Sequence, residues 1–294
     1  MKASIIIRTL NEARHLPKLL VAIRKQAASG LEVEVVVVDS GSTDRTVSIA
    51  KEAGARLVFI DKAEFSFGRS LNRGCEAAQG DYLVFISGHC IPVDEHWLAK
   101  LVQPIRDVVA AYTYGRQIGN ETSQFSERQI FKKYYPAESR IPQTDGFFVN
   151  NANAALRRDV WRKLRFDEDL LGLEDMDMAK RVVGAGHRLA YVADATVYHL
   201  HRERWAQVRR RYEREAIALQ GIMPEVHVHF ADFVRYYASA LLLDAGAAIQ
   251  DRTLAKSSKE IVAFRLMQFW GSYRGNHEHR KLSRKTKEKY FYPK

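Results

Sequence analysis

Apolar positions between residues 3 and 87 follow two alternating patterns. Four short, nearly unbroken runs, ASIIIRT (3–9), VEVVVVDS (33–40), ARLVFI (55–60) and DYLVFIS (81–87), read as strands buried on both faces. Between them apolar residues recur at helical spacing. Leu16, Leu19, Leu20 and Ile23 do so in HLPKLLVAIRKQ. STDRTVSIAKEAG opens on the capping residues Ser42, Thr43 and Asp44 and stops at Gly54, and GRSLNRGCEAAQG stops at Gly80. Strand and helix alternating every ~20 residues predict βαβ units: an α/β fold with a mostly parallel sheet and helices on both faces.

Beyond Asp94 the pattern is less regular. HWLAKLVQPIRD (96–107) reads as a helix and VAAYTYGRQIG (109–119) as a strand and turn. Residues 120–145 are polar and aromatic and read as a long loop of the kind that covers active sites. FFVNNANAALRRDVWRKL (147–164) is a strand running into a helix, with Asn151 and Asn153 alternating on one strand face. GLEDMDMAKRVVGAG (172–186) is a helix, HRLAYVADATVYHLH (187–201) one or two strands, and the chain from about residue 205 is helical and basic.

Composition narrows the class. Hydrophobic residues at 46% and charged residues at 28% are ordinary for a globular protein. No apolar run of about 18 residues predicts a membrane span, and a core strand close behind Met1 argues against a signal peptide. Cys75 and Cys90 form neither a disulfide framework nor a CxxC site, so a reducing, cytoplasmic setting is expected. The net charge of +11 predicts acidic partners, namely nucleic acid, anionic lipid or a phosphate-bearing substrate. Neither GxGxxG nor GxxxxGK[ST] occurs.

In a parallel sheet, ligands bind beyond the carboxyl ends of the strands. Four polar tips are predicted there: RTLNE (8–12), DSGSTD (39–44), DKAEFSFGR (61–69) and SGHC (87–90). LEDMD adds Glu174, Asp175 and Asp177 at a helix start, where carboxylates are favoured electrostatically with or without a function.

Taken in order, SIIIRTLNE, VVVVDSGSTDRT, LNRGCEAAQGDYLVFIS, NNANAALRRDVW, FDEDLLGLEDMDMAKRVVGAG and VYHLH resemble the inverting glycosyltransferases of family 2, which have the GT-A fold. The resemblance spans residues 3–205, and EFSFGRSLN is similar to the bacterial rhamnosyltransferase-like branch. It implies a catalytic domain at 1–205, with a nucleotide-sugar half to about 95 and an acceptor half at 96–205, followed by a basic helical region at 206–294.

The resemblance implies that Thr9, Asn11, Glu12 and Asp39 hold the base and ribose of a nucleoside-diphosphate sugar, with Arg69 and Asn72 on the base or pyrophosphate. It makes Asp175 the general base, with Glu174 beside it, and gives Asn151 and Asn153 to sugar hydroxyls. Helix capping also accounts for Asp39, Asp44 and Asp177, and backbone satisfaction at a turn for the asparagines.

Most members of the family hold a divalent cation, Mn²⁺ or Mg²⁺, on an Asp-x-Asp at the fourth strand tip and on a later histidine. Here Ser87-Gly88-His89 stands at that tip, and His199, with His201 two residues on, matches the histidine. Three readings stay open. His89, His199 and His201 hold the cation; basic residues such as Arg69, Arg202 or Arg204 replace it; or the site is degenerate and the chain is a non-catalytic nucleotide- or carbohydrate-binding partner. A sugar-nucleotide-forming nucleotidyltransferase is disfavoured, because its Gly-rich Arg-Lys loop is absent.

The C-terminal region predicts a stripe of Trp205, Val208, Tyr212, Ala216 and Leu219 opposite Arg209, Arg210 and Arg214. A second stripe joins Val262, Leu266, Phe269, Trp270 and Tyr273. FVRYYASALLLDAGAAI contains Arg235 and Asp244 and is not expected to span a bilayer. From Arg274 to Lys294 eight Lys or Arg face two Glu, which suits an anionic membrane surface at the inner face of the cell membrane. A cap on the catalytic domain or a homodimer interface would use the same residues. No nucleic-acid-binding motif occurs, so nucleic acid is not an expected partner. The expected acceptor is a saccharide or polyprenyl-linked saccharide of bacterial polysaccharide or glycolipid assembly.

Overall fold

The computed structural model describes residues 1–27, 30–201 and 203–277; Arg202 and most of the basic C-terminal run, 278–294, lie outside the described residues. The first half follows the predicted alternation: β1 (Lys2–Thr9), α1 (Leu16–Arg24), β2 (Glu32–Asp39), α2 (Thr46–Glu52), β3 (Arg56–Phe59), α3 (Phe67–Ala77) and β4 (Tyr82–Ser87). Then come β5 (Cys90–Pro92), α4 (Trp97–Arg106), β6 (Tyr112–Ile118), α5 (Phe125–Tyr134), β7 (Arg140–Gln143), β8 (Asn153–Arg157), α6 (Arg158–Leu164), α7 (Glu174–Gly184) and β9 (Leu189–His199). Three helices follow: α8 (Trp205–Ile222), α9 (Phe230–Gln250) and α10 (Leu254–His277).

The strands form one nine-stranded sheet in the order β3-β2-β1-β4-β8-β6-β9-β5, with β7 also on β9. Strands β3, β2, β1 and β4 are parallel, as βαβ units require. Beyond β4 the sheet is mixed, because β8 enters antiparallel between β4 and β6. Both faces are covered. Ile5, Ile7, Val37, Val84 and Ile86 share a core with the buried faces of α1 and α4. On the other face Ile6 and Val38 lie so near Gly74 of α3 that a Cβ there would meet them at 2.6 and 2.9 Å.

The chain divides into two compact units. The first comprises Met1–Ile118, Tyr134–Asp169 and Glu174–Leu200 and contains the whole sheet. The second comprises Gly119–Lys133, Leu170–Leu173 and the chain from His201.

Within the first unit, the FSFGRSLN segment is a clasp. The Ser66 hydroxyl accepts the Arg69 backbone N–H and caps α3. A Cβ on Gly68 would lie 1.8 Å from the Asp167 carbonyl oxygen, so only glycine permits this approach. Buried Asn72 donates to the Phe166 carbonyl (2.9 Å) and to Glu168 (2.9 Å), and accepts from Trp161 Nε1 (3.0 Å) and the Phe166 N–H (3.1 Å). Arg69 Nε donates to Glu168 at 2.7 Å. The segment at 166–168 is thereby fixed to α3.

Three expectations about the chain from residue 119 onward are corrected. Residues 120–145 contain α5 and β7 rather than one long loop. The buried face of α5 includes Ser126 and Glu127 beside Phe125 and Phe131, which hides the helical period. Ser126 donates to Asp244 at 2.6 Å, and Asp244 takes two bonds of 2.7 Å from buried Arg265. On α8 the arginine face is not a free basic stripe: Arg209 pairs with buried Glu213, and Arg211 binds both oxygens of Glu203. On α10 the buried positions include Ile261, Phe264, Arg265, Gly271, Gly275 and Asn276, while Val262 of the predicted stripe is exposed. A Cβ on Gly271 or Gly275 would stand 2.4 Å from the Arg209 carbonyl oxygen or 2.1 Å from that of Glu213. The glycines therefore let α10 seat directly on the α8 backbone.

No helix among the described residues is long and apolar enough to cross a membrane. Helix α9 buries Phe233, Asp244 and Ala248 but leaves Leu242 and Leu243 each 75% exposed.

Two substitutions test this packing. Gly275→Ala drives a methyl into the α8 backbone and should destabilise the protein by about 1–3 kcal/mol, read as a lower denaturant midpoint; an unchanged midpoint contradicts the contact. Asn72→Ala strands buried groups of Phe166 and Trp161 and should cost about 2–4 kcal/mol in the same assay, whereas a residue serving only ligand would leave stability within about 0.5 kcal/mol.

Candidate active site

The polar tips of β1, β2 and β4 sit on one edge of the sheet, because register pairs Thr9 with Asp39 and Arg8 with Ser87. Asp39 is buried and organises the loop behind it. Its Oδ1 accepts the N–H groups of Gly41 (3.0 Å) and Ser42 (2.8 Å), and its Oδ2 accepts the hydroxyls of Thr9 (3.0 Å) and Ser42 (2.5 Å). Asn11, at φ 58°, accepts the Thr43 N–H at 2.8 Å, and Asp44 accepts the N–H groups of Ala13 (3.1 Å) and Thr46 (2.9 Å). Asp39 thus forms a turn rather than a helix cap, while Asp44 ties the start of α2 to the β1–α1 loop.

Asn72 corrects the expectation of a nucleotide contact, since its amide is buried and engaged in the α3 clasp. Arg69 keeps one third of its side chain exposed and bonds Glu168 and the Glu64 carbonyl.

The histidine at the tip of β4 belongs to a chain of four side chains. His89 Nδ1 lies 2.7 Å from Glu12 Oε1, and His199 Nδ1 lies 2.6 Å from Gln117 Oε1. Between them the two Nε2 atoms approach to 3.1 Å, with the rings stacked at 5.0 Å. Gln117 Nε2 donates to Asn150 at 3.1 Å, which turns its oxygen toward His199. Each Nδ1 faces an acceptor to which it can donate, and a ring protonated there turns the lone pair of its Nε2 toward the other ring. The pairing of Cys90 with His199 joins the two histidines, and a Cβ on Gly88 would press on Glu12 Cγ at 2.9 Å.

The strand ends at His199, so alternation does not carry on to His201 as expected. His201 belongs to the second unit, where its Nδ1 bonds Glu127 at 2.6 Å.

At the start of α7, Asp177 pairs with Arg181 at 2.6 Å, which accounts for it as a helix residue. Glu174 is buried and takes Arg8 Nη1 at 3.0 Å, and the Arg8 guanidinium also lies over the Phe67 ring. Asp175 is buried; its Oδ2 accepts the Asn151 N–H (2.9 Å) and its Oδ1 the Met176 N–H (2.8 Å). Burial, then the charge of Glu174, pushes its pKa up to about 7 against the pull of those N–H groups and Arg8.

Asn151 lies in the turn ahead of β8 rather than on the strand. Its Oδ1 accepts the Tyr112 hydroxyl at 2.6 Å, and its buried Nδ2 has no hydrogen-bond partner among the described residues. Asn153 is fully buried, accepting from Trp97 Nε1 (2.8 Å) and donating to the carbonyls of Arg116 (3.1 Å) and Ala195 (2.8 Å). Its amide holds β8 to its neighbours, which corrects the expectation of a sugar contact.

Arg8, Gln117 and the link from Glu12 to His89 were not anticipated. Arg8 leaves a trace in the sequence, as a cation near the end of an apolar strand that must find a partner. Gln117 leaves none. A cavity of about 370 Å³ lined by Leu20, Arg24, Glu34 and Arg56 lies at the start of β2 and holds none of these groups.

Residues 4–165 match the family described as Glycosyl transferase family 2. The chain is 31% identical over 214 residues to the O-antigen chain rhamnosyltransferase RfbN of Salmonella typhimurium, covering 68% of this chain and 67% of the relative. It is 29% identical over 189 residues to the O-antigen chain rhamnosyltransferase WbaN of Salmonella anatum, covering 61% and 60%. The fold is similar to that of the mannosyltransferase PcManGT from Pyrobaculum calidifontis, a structure in complex with GDP-Man and Mn²⁺, at a TM-score of 0.62, 20% identity, and coverage of 91% and 87%. The chain belongs to glycosyltransferase family 2, has the GT-A fold, and is a glycosyltransferase of the bacterial rhamnosyltransferase-like branch.

Proposed function

We propose that the enzyme transfers sugar by one direct displacement, with Asp175 as the general base. The observation that carries this reading is the Asp175 carboxylate, buried and aimed by two backbone N–H groups, its pKa pushed up to about 7 by burial and by the charge of Glu174. A base poised near the working pH is ionised often enough to act and basic enough to take a hydroxyl proton. The acceptor hydroxyl gives its proton to Asp175 as its oxygen bonds the anomeric carbon. The bond to the nucleoside diphosphate breaks on the opposite side, so the anomeric configuration inverts.

Other residues take supporting roles in this reading. The Arg8–Glu174 pair holds charge beside the base, and the partnerless Nδ2 of Asn151 donates to a sugar hydroxyl. The loop shaped by Thr9, Asn11 and Asp39 receives the base and ribose, with Ser87 and Arg69 toward the phosphates. His89 and His199 hold a divalent cation, oriented by Glu12 and Gln117. Two apposed imidazole nitrogens with protonated far sides fit such an ion. When bound, it neutralises charge on the departing diphosphate.

The names of RfbN and WbaN, O-antigen chain rhamnosyltransferases, support rhamnose as the donor sugar and a saccharide acceptor in polysaccharide assembly. Residues 1–205 form the catalytic domain in this reading, and 206–294 attach it to the inner face of the cell membrane. The exposed apolar side of α9, with Val234, Leu242, Leu243 and Ile249, and the basic sequence at 280–294 support that attachment.

Asp175→Asn should lower kcat by about 10²–10⁴-fold without loss of donor binding; turnover near wild type contradicts the assignment. In the wild type the protonated base is inactive, so log kcat/KM should rise with pH up to about 7 and level off above it. Glu174→Gln removes the neighbouring like charge and should move that limb to lower pH. For the membrane, Leu242→Glu with Leu243→Glu should abolish cosedimentation with phosphatidylglycerol vesicles. Wild-type protein that ignores those vesicles, or dimerises through this face, contradicts the attachment.

A further inference from the structure

The histidine pair carries an inference about which cation the enzyme takes, and it rests on reading that pair as the cation site. Both far-side nitrogens are committed: His89 Nδ1 to the Glu12 carboxylate and His199 Nδ1 to the Gln117 amide oxygen, itself fixed by Asn150. The near-side nitrogens are 3.1 Å apart. Two ring nitrogens at that distance share one electrophile, a proton or a metal ion. The separation is close to the roughly 3.0 Å between adjacent ligands of an octahedral ion with bonds of about 2.1 Å.

We propose that Ser87-Gly88-His89 and His199 make a nitrogen-donor site selective for late first-row cations such as Co²⁺ or Zn²⁺ over Mg²⁺. Mg²⁺ demands oxygen ligands and dehydrates reluctantly, whereas imidazole suits the borderline ions, in an order that rises from Mn²⁺ through Co²⁺ to Ni²⁺. A carboxylate at position 89 would place negative charge directly on the ion. Here the charge stands one step back, on Glu12, where it raises the basicity of the imidazole. Glu12 and Gln117 are positioning residues in this arrangement.

The test is calorimetric titration of the full chain with Co²⁺, Zn²⁺, Mn²⁺ and Mg²⁺, each alone, together with the visible absorption spectrum of the Co²⁺ form. The proposal expects Co²⁺ to bind at least about 10-fold more tightly than Mg²⁺, with absorption bands shifted from those of the aqueous ion. Glu12→Gln should weaken Co²⁺ about 10-fold with the melting temperature retained. His89→Asp should narrow the Co²⁺-over-Mg²⁺ preference about 10-fold by restoring an oxygen ligand, which a merely structural His89 would not do. Equal binding of Mg²⁺ and Co²⁺ by the wild type overturns the selectivity and leaves the cation site standing. Binding of no ion assigns the pair to a shared proton and overturns both. Co²⁺ binding that persists unchanged in a folded His89→Ala, His199→Ala variant places the ion elsewhere and also overturns the proposal. None of these outcomes bears on Asp175.

Discussion

Two adjacent carboxylates, Glu174 and Asp175, are both buried at the start of α7, and the surroundings are arranged around that cost. Removing one carboxylate from water is unfavourable, and a second beside it adds repulsion. The compensation is specific. Arg8 reaches Glu174 from β1, the Asn151 and Met176 N–H groups hold Asp175, and the amino-terminal turn of α7 adds its partial positive charge. Each compensating group requires a distant part of the chain to be in register. The parallel β1–β4 pairing delivers Arg8, and the antiparallel entry of β8 beside β4 delivers the turn that contains Asn151. What remains uncompensated appears as the raised pKa of Asp175, which is the property a base at neutral pH requires.

The histidine pair is held by the same logic of fixed partners. Burying His199 beside a second imidazole is tolerable because each ring has a fixed acceptor on its far side. That constraint sets the tautomers and turns two basic nitrogens toward one point. The acceptors come from the loop after β1 and from β6, so the pair also depends on the completed sheet. The histidine pair and the buried carboxylates are thus positioned by the same sheet from which the fold is built.

Much of this architecture was legible in the sequence, for definable reasons. Strands β1 and β4 and the second half of β2 are buried on both faces and so appear as unbroken apolar runs; β3 gives the same signal but lies at the sheet edge with Phe59 65% exposed, against the expectation of a strand buried on both faces. Helix α5 was hidden because Ser126 and Glu127 share its buried face. On α10, Phe269, Trp270 and Tyr273 of the apolar stripe pack against aromatic rings of α9, while the glycines that admit the α8 backbone carry no apolar signal. In the site, residue type located the carboxylates and histidines. Asn72 and Asn153 were misassigned because a buried amide satisfying backbone and indole groups has the same sequence signature as one awaiting a ligand. The partnership of Gln117 with His199 spans 82 residues and exists only in the folded sheet.

The central claim is that one displacement, driven by a single buried base, moves the sugar. It is tested most directly by the anomeric configuration of the product, read from NMR coupling constants on the newly formed glycosidic linkage and compared with the donor. The account predicts inversion from the first turnover. Retention of the donor configuration would contradict it, because that outcome needs two successive displacements and a second nucleophile that the role of Asp175 does not provide.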